Sequence, residues 1–176
     1  LGSRGLGDVY KRQHQQIYNA GEAMLTGDKE LAYKVLSRER RVNAFELKID
    51  SDCEDIIALY APVAIDLRFV LAMYKINTNL ERLGDFAESI ARFAGNLPEG
   101  EPIDPQLVKE TRVEEMLSEL LSMISLTKEA FEKESSEIAS RIFLKDNLID
   151  EINHNSTAII AKYIEEHKGS ALAGLY

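Results

Sequence analysis

Apolar side chains recur every three or four residues along most of the chain, the spacing typical of amphipathic α-helices. One stripe runs from Leu31 to Tyr60, and a second runs from Phe69 to Ala94. No segment alternates between apolar and polar residues for long enough to predict a strand. The pattern therefore predicts an all-α protein whose stripes, Tyr60 included, form the core.

Proline and glycine positions divide the first half of the chain into helices. All four prolines lie between residues 62 and 105, so both ends of the chain can be helical without interruption. Tyr60 is expected to end one helix, and Pro62 suits the first turn of the next. Gly95 and Pro98 should end that second helix, because a glycine or asparagine favours a left-handed cap.

The second half of the chain opens with a clear helix start. Asp104 is a suitable N-cap, and Pro105 suits the first helical position. The apolar stripe within residues 113–131 carries the helix that follows, and Ser135 or Ser136 is expected to cap the next one.

The chain contains an internal repeat at a spacing of 107 residues. Apolar, basic and acidic residues of the two copies align in one register without gaps. Two unrelated amphipathic helices can align their apolar stripes, but they align their charged positions as well less often. The repeat predicts two similar helical bundles, the second starting near residue 105. The matched positions include Leu31 with Ile138, Val35 with Ile142, Arg38 with Lys145, Glu39 with Asp146, and Asn43 with Asp150.

The repeat also predicts the domain boundaries. Residues 1–13 carry three glycines where the repeat has a good helix, so we expect a non-native segment without a functional role. Residues 14–97 form the first bundle with a truncated first helix, 98–104 a linker, and 105–176 the second bundle. Position 69 maps onto the last residue, so the third helix of the second bundle is expected to be largely missing, as in a fragment.

Composition narrows the classes of partner. The chain has 30 acidic and 21 basic residues and a net charge of −9, which argues against nucleic-acid binding and favours cations or basic proteins. Its one cysteine, Cys53, excludes an internal disulfide framework and a thiolate zinc cluster, so we expect a cytoplasmic protein.

Paired oxygen ligands at helical spacing are candidates for a metal site. A spacing of four puts both side chains on one helix face, and oxygen donors from adjacent helices suit Mg, Mn or Fe. A solvated acidic face is the alternative, since Glu110 and Glu114 share this spacing. The mid-helix Gly84 indicates a close approach, which plain helix packing also explains. The candidate residues are Glu39, Asn43, Glu81, Asp85, Asp146 and Asp150.

Enzymatic chemistry finds little support in the sequence. Glu151 and His154 have the spacing of half a ferritin-like di-iron set, but neither of the other two histidines follows a glutamate at that spacing. There is no glycine-rich phosphate loop and no nucleophile elbow. We therefore predict a protein that is not an enzyme.

Three segments together resemble the PhoU family of phosphate-uptake regulators, over about residues 15–176. They read V-L-x3-R-R-V-N at residues 35–43, A-P-V-A-I-D-L-R at 61–68, and K-I-N-T-N-L-E-R-L-G-D at 75–85. The resemblance implies two pseudo-symmetric three-helix bundles, the second incomplete at its C-terminus. It also implies a non-enzymatic adaptor, peripheral to membrane complexes, that joins a phosphate ABC transporter ATPase to a sensor histidine kinase and restrains phosphate-starvation signalling.

The resemblance further implies metal binding, since some family members bind iron or zinc clusters through E/D-x-x-x-D pairs. These pairs carry over onto Glu81 with Asp85 and Asp146 with Asp150. Asn43 weakens the first-bundle pair, and the second L-E-R-x-G-D would lie near position 188, beyond this chain. The identity of the metal (Fe, Zn, Mn or Mg) and a homodimer stay open.

Three other functions also stay open. One is a PhoU-like cytosolic domain of a sodium/phosphate cotransporter, and another is a carboxylate-bridged metal oxidase. The third is a purely structural bundle.

Overall fold

The computed structural model describes residues 3–98 and 100–166, and within these ranges it contains six α-helices and no strand. The predicted all-α class is confirmed. In chain order the helices are α1 (Ser3–Thr26), α2 (Lys29–Tyr60), α3 (Ile65–Asn96), α4 (Pro105–Thr111), α5 (Val113–Glu132) and α6 (Ser136–Glu166).

The first three helices pack against one another as a bundle, and α5 and α6 pack together in the second unit. The two units meet where α1 lies on α5. Gly21 makes this approach close, because a Cβ at that position would lie 2.9 Å from Leu117 Cδ1. Among the described residues, no helix has the length and apolar character needed to cross a membrane.

The geometry of one turn in each unit supports the predicted repeat. The backbone turns through a positive φ at Gly27 (72°) and again, 107 residues later, at Glu134 (49°). The next residue caps a long helix in both units. Asp28 Oδ1 accepts a hydrogen bond from Leu31 N at 2.9 Å, and Ser135 Oγ accepts one from Ile138 N at 3.2 Å.

The turn between α2 and α3 differs from the prediction. Helix α3 begins at Ile65, three residues after Pro62, because Ala64 has a φ of 52° that an α-helix excludes. Tyr60 is 77% exposed, so its predicted place in the core is wrong. It lies at the last position of α2, where a residue on the helical stripe has too few neighbours to bury it.

The start of the second unit agrees with the prediction, but its first helix is split. Asp104 Oδ1 accepts a hydrogen bond from Gln106 N at 2.8 Å, which confirms the N-cap. The chain then breaks at Arg112, whose φ is 54°, so that α4 and α5 replace one continuous helix.

The segment predicted to be non-native contributes to the fold. Within residues 3–13, Val9, Tyr10 and Gln13 are all buried in the first bundle. The non-native origin of this segment and its lack of a functional role stay predictions. Residues 167–176, expected to belong to the second bundle, lie outside the described part of the chain.

Candidate functional site

Polar side chains occupy the middle of the first bundle, where an apolar core is expected. Helix α1 contributes Gln13 and Gln16, α2 contributes Glu39 and Glu46, and α3 contributes Asn77. Each is no more than 3% exposed. We call these five residues the polar layer. Buried polar groups are costly unless they are hydrogen-bonded, so each partner matters.

One end of the polar layer joins α1 to α2 through Glu39. Gln16 Nε2 donates one hydrogen bond to Glu39 Oε2 at 3.1 Å and another to the Val35 carbonyl oxygen at 3.0 Å. Both of its amide hydrogens are then in use. The second carboxylate oxygen, Glu39 Oε1, is buried without a hydrogen-bond partner.

The other end joins all three helices through Glu46. Gln13 Nε2 donates to Glu46 Oε1 at 2.8 Å. Asn77 Nδ2 donates to the Glu46 carbonyl oxygen and to Asp50 Oδ1, both at 2.8 Å. Glu46 Oε2 and Asn77 Oδ1 remain buried without partners.

Gly84 lets the two ends of the layer meet against α3. A Cβ on this residue would lie 2.5 Å from Glu39 Oε1 and 2.8 Å from Gln13 Nε2, closer than any real side chain tolerates. The mid-helix glycine predicted to mark a close approach therefore accommodates two polar side chains of the layer.

Burial raises the pKa of both carboxyl groups. For Glu39 the main cause is desolvation, to which the nearby negative charges of Glu88 and Asp85 add, while the hydrogen bond from Gln16 opposes the shift. Desolvation likewise raises the pKa of Glu46 to about 7, with contributions from Glu39 and from acids of α3, against the hydrogen bond from Gln13. Acidic side chains of α2 and α3 therefore both contribute to the negative potential at these two carboxyl groups.

The predicted metal-ligand residues are only partly brought together. Glu39 and Asn43 line a cleft of about 230 Å³ on the outside of α2 and α3, together with Leu36, Glu88 and Arg92. Arg92 pairs with Glu88 at this cleft. Glu88 is thus the α3 acid that lines this cleft with the predicted α2 pair.

The other four predicted ligands are placed differently. Glu81 and Asp85 are exposed on α3, and Asp150 is exposed on α6, which packs on α4 and α5. The side chain of Asp146 lies outside the described part. Within that part, no three His, Cys, Asp or Glu side chains are placed to hold a metal ion. The metal set stays a prediction.

Sequence reasoning missed most of the polar layer. Asn77 and Gly84 lie on the buried line of α3, one position away from the apolar stripe residues Ile76 and Leu83. Glutamines at positions 13 and 16 share one helix face, which was a usable signal. This signal did not lead to a prediction, because residues 1–13 were expected to be a non-native segment.

The fold defines a duplicated all-helical protein with a carboxylate-containing layer inside its first bundle. The PhoU domain family matches residues 10–94. A PhoU homologue from Aquifex aeolicus, named a phosphate-specific transport system accessory protein, is 34% identical over 89% of this chain and 69% of its own length. The accessory protein PhoU of Escherichia coli is 34% identical over 78% of this chain and 55% of its own length.

Solved structures agree with the fold. The crystal structure of PhoU from Pseudomonas aeruginosa superposes with a TM-score of 0.83 at 24% identity, over 97% of this chain and 81% of that one. That of the phosphate transport system regulatory protein PhoU from Streptococcus pneumoniae also gives 0.83, over 97% of this chain and 78% of that one. This chain belongs to the PhoU family, as its motifs indicated.

Proposed function

We propose that this chain is an accessory protein of a phosphate transport system, a negative regulator of phosphate uptake. In this role it is an adaptor between a phosphate ABC transporter and a sensor histidine kinase, and it restrains phosphate-starvation signalling without being an enzyme. The supporting observation is its membership of a family whose members are named as phosphate-transport accessory proteins.

An exposed apolar surface supports the adaptor role. At the turn between α2 and α3, Leu59, Tyr60, Val63 and Ile65 are all more than 70% exposed. We call residues 59–65 the hairpin tip. Exposed apolar patches of this kind are typical of protein–protein contacts. The acids Glu54, Asp55 and Asp66 are exposed beside the tip, so its partner is expected to be basic.

The adaptor proposal is tested in a bacterium that lacks its own PhoU and carries a reporter for phosphate-starvation signalling. In phosphate-rich medium this chain should lower the reporter signal. A Val63→Asp and Ile65→Asp double variant should weaken that effect, because it charges the hairpin tip. Leu144→Asp is the matched control, since Leu144 is similarly exposed (73%) but lies on α6. An inactive wild-type chain, or equal loss in variant and control, contradicts the proposal.

We also propose that the outer groove between α2 and α3, the face that carries the cleft, binds a metal ion through Glu39 and Asn43 with Glu81 and Asp85. The unpaired Glu39 Oε1 and the field of Asp85 fit a hard cation such as Mg, Mn or Fe. Asp146 and Asp150 are the corresponding proposal in the second unit. The family resemblance makes zinc a further candidate for the bound metal.

Elemental analysis tests the outer-groove proposal. The purified chain should carry metal, and a Glu81→Gln/Asp85→Asn double variant should carry less, because it lacks two of the charged ligands. Equal metal content in the two proteins contradicts the proposal.

A further inference from the structure

Helix α3 carries three exposed bases in one row. Arg68, Lys75 and Arg82 are spaced by seven residues, so they lie nearly on one line along the helix, about 10.5 Å apart. All three side chains are exposed. We call the face of α3 centred on this line, within residues 68–86, the basic stripe.

The acids of α3 lie on a different side of the helix from the basic stripe. At 3.6 residues per turn, each of them is about 80° or more around the helix from Lys75. Asp85 and Glu88 act on Glu39, which places them on the side of α3 toward α2. The stripe is therefore locally positive, although the whole chain has a net charge of −9. The four acids of α3 are Asp66, Glu81, Asp85 and Glu88.

The bases of the stripe have no counter-charge within the described part of the chain. Every ion pair between described side chains involves other residues. The remaining base of α3, Arg92, is by contrast paired with Glu88. A chain with 30 acids thus leaves three aligned bases unpaired, which favours an external anionic partner.

Two exposed apolar side chains lie on the same face. Leu71 is 46% exposed and Phe86 is 59% exposed, and both are within about 40° of Lys75 around the helix. Aromatic and arginine side chains are enriched at protein interfaces, where charges mainly give specificity. A single row of bases with apolar side chains beside it is complementary to one helix, because helices that pair side by side also repeat every seven residues.

We infer that the basic stripe binds an amphipathic helix of a partner protein whose acidic side chains recur every seven residues. The stripe is distinct from the hairpin tip, whose partner is expected to be basic, so the chain has two surfaces of opposite charge preference. The biological use of the stripe rests on the adaptor proposal, whereas the binding itself does not. A flat anionic membrane fits less well, since the bases form a single row and the exposed acids Glu81 and Asp85 lie on the neighbouring side of α3.

Fluorescence anisotropy with a designed peptide tests the inference. The probe is a labelled helical peptide of about three heptads that carries glutamate and leucine once per heptad. The same peptide with lysine in place of glutamate is the negative control. The glutamate peptide should bind the wild-type chain, and less tightly at higher salt because exposed charges are screened. An Arg68→Glu/Lys75→Glu/Arg82→Glu variant should bind it at least about tenfold more weakly.

A triple variant of α2 is the matched control. Lys34→Glu/Arg38→Glu/Lys48→Glu makes the same change in net charge at exposed positions, but these bases share their face of α2 with Glu30 and Asp52. The control should bind the glutamate peptide within about twofold of the wild type. Equal weakening in the two triple variants would reveal a general charge effect and overturn the inference.

Other binding results also decide the matter. If the α3 triple variant does not fold, Lys75→Gln/Arg82→Gln removes two charges without reversing them and should weaken binding by about threefold. A wild-type chain that does not bind the glutamate peptide, or that binds both peptides equally, overturns the inference. So does binding through the stripe to vesicles of phosphatidylglycerol and phosphatidylcholine without binding to the peptide.

The phosphate-starvation reporter separates this inference from the adaptor proposal. The wild-type chain and the α2 control should lower the reporter signal, whereas the α3 triple variant should not. A fully active α3 variant overturns the role of the stripe and leaves the adaptor proposal standing. An inactive wild-type chain contradicts the adaptor proposal, and the peptide measurement then decides the inference on its own.

Discussion

The two helical units share a backbone plan and differ inside it. At the 107-residue spacing, Leu120 and Met123 stand where the first bundle has Gln13 and Gln16, and Asn153 stands for Glu46. Turns and caps repeat, whereas Gln13, Gln16 and Glu46 of the polar layer do not. The helical plan therefore does not require the buried glutamines or a carboxylate at the position of Glu46, and an apolar interior of similar volume is often at least as stable. The layer is therefore a feature of the first bundle that folding alone does not require.

The largest expected effect is on the pH dependence of stability. The pKa of Glu46 is about 7 in the folded protein against 4.5 ordinarily, so between these values the folded state holds one more proton. Its contribution is complete below pH 4.5 and is lost as the pH rises through 7. The loss amounts to about 3 kcal/mol in the free energy of unfolding.

Urea unfolding between pH 4.5 and 8, with a chelator present, measures this loss. Glu46→Gln should remove most of the slope, whereas Glu114→Gln, at an exposed position of α5, should keep it. Parallel slopes for the wild type and Glu46→Gln would show that Glu46 ionises normally in the folded state.

A smaller effect is expected when a hydrogen-bonded pair of the polar layer is replaced by apolar residues. Gln16→Met removes the donor to Glu39 Oε2 and leaves that oxygen unpaired, at a cost of about 2 kcal/mol. Adding Glu39→Leu should restore the lost stability, because both polar partners are then replaced. Denaturant titration of the single and double variants measures the difference. A double variant less stable than Gln16→Met would show that the layer stabilises the bundle.

The smallest effect compares two glycines of α3. Gly84→Ala should destabilise the protein by about 1–2 kcal/mol, because its Cβ displaces Glu39 and Gln13 despite the better helix propensity of alanine. Gly95→Ala has nothing within 4 Å of its Cβ, so it should stabilise by up to about 1 kcal/mol. Thermal unfolding measures both. Effects of the same sign would mean that helix propensity decides at Gly84.

Local chemistry was readable from the sequence wherever neighbours in the chain decide the outcome. The stripes gave α2 and α3, and Asp104 with Pro105 gave the start of α4, because caps and helical periodicity involve residues a few positions apart. The prediction that Pro62 lies in the first turn of the next helix was wrong, because α3 begins only after Ala64, whose φ is positive. The repeat predicted two similar helical bundles, because segments whose apolar, basic and acidic positions all match are expected to have the same backbone structure.

The candidate site was only half readable for the opposite reason. Glu39 and Asn43 were predicted as ligands, and they do line one cleft. The burial of Glu39, and the hydrogen bonds that Gln13 and Asn77 donate to Glu46, depend on which faces of the three helices meet. Periodicity assigns a face only by its apolar residues, so a polar residue on the buried face is read as exposed.

By itself, the amino-acid sequence determined the helices, their caps, the duplication and the family. Helices and caps follow from the spacing of nearby residues, and the duplication and the family follow from similar residues in the same order along the chain. Only the tertiary structure decided that two carboxylates and three amides share the buried interior of the first bundle. Burial and hydrogen-bond supply are properties of neighbours in space, and these five residues are scattered over more than sixty positions of the chain.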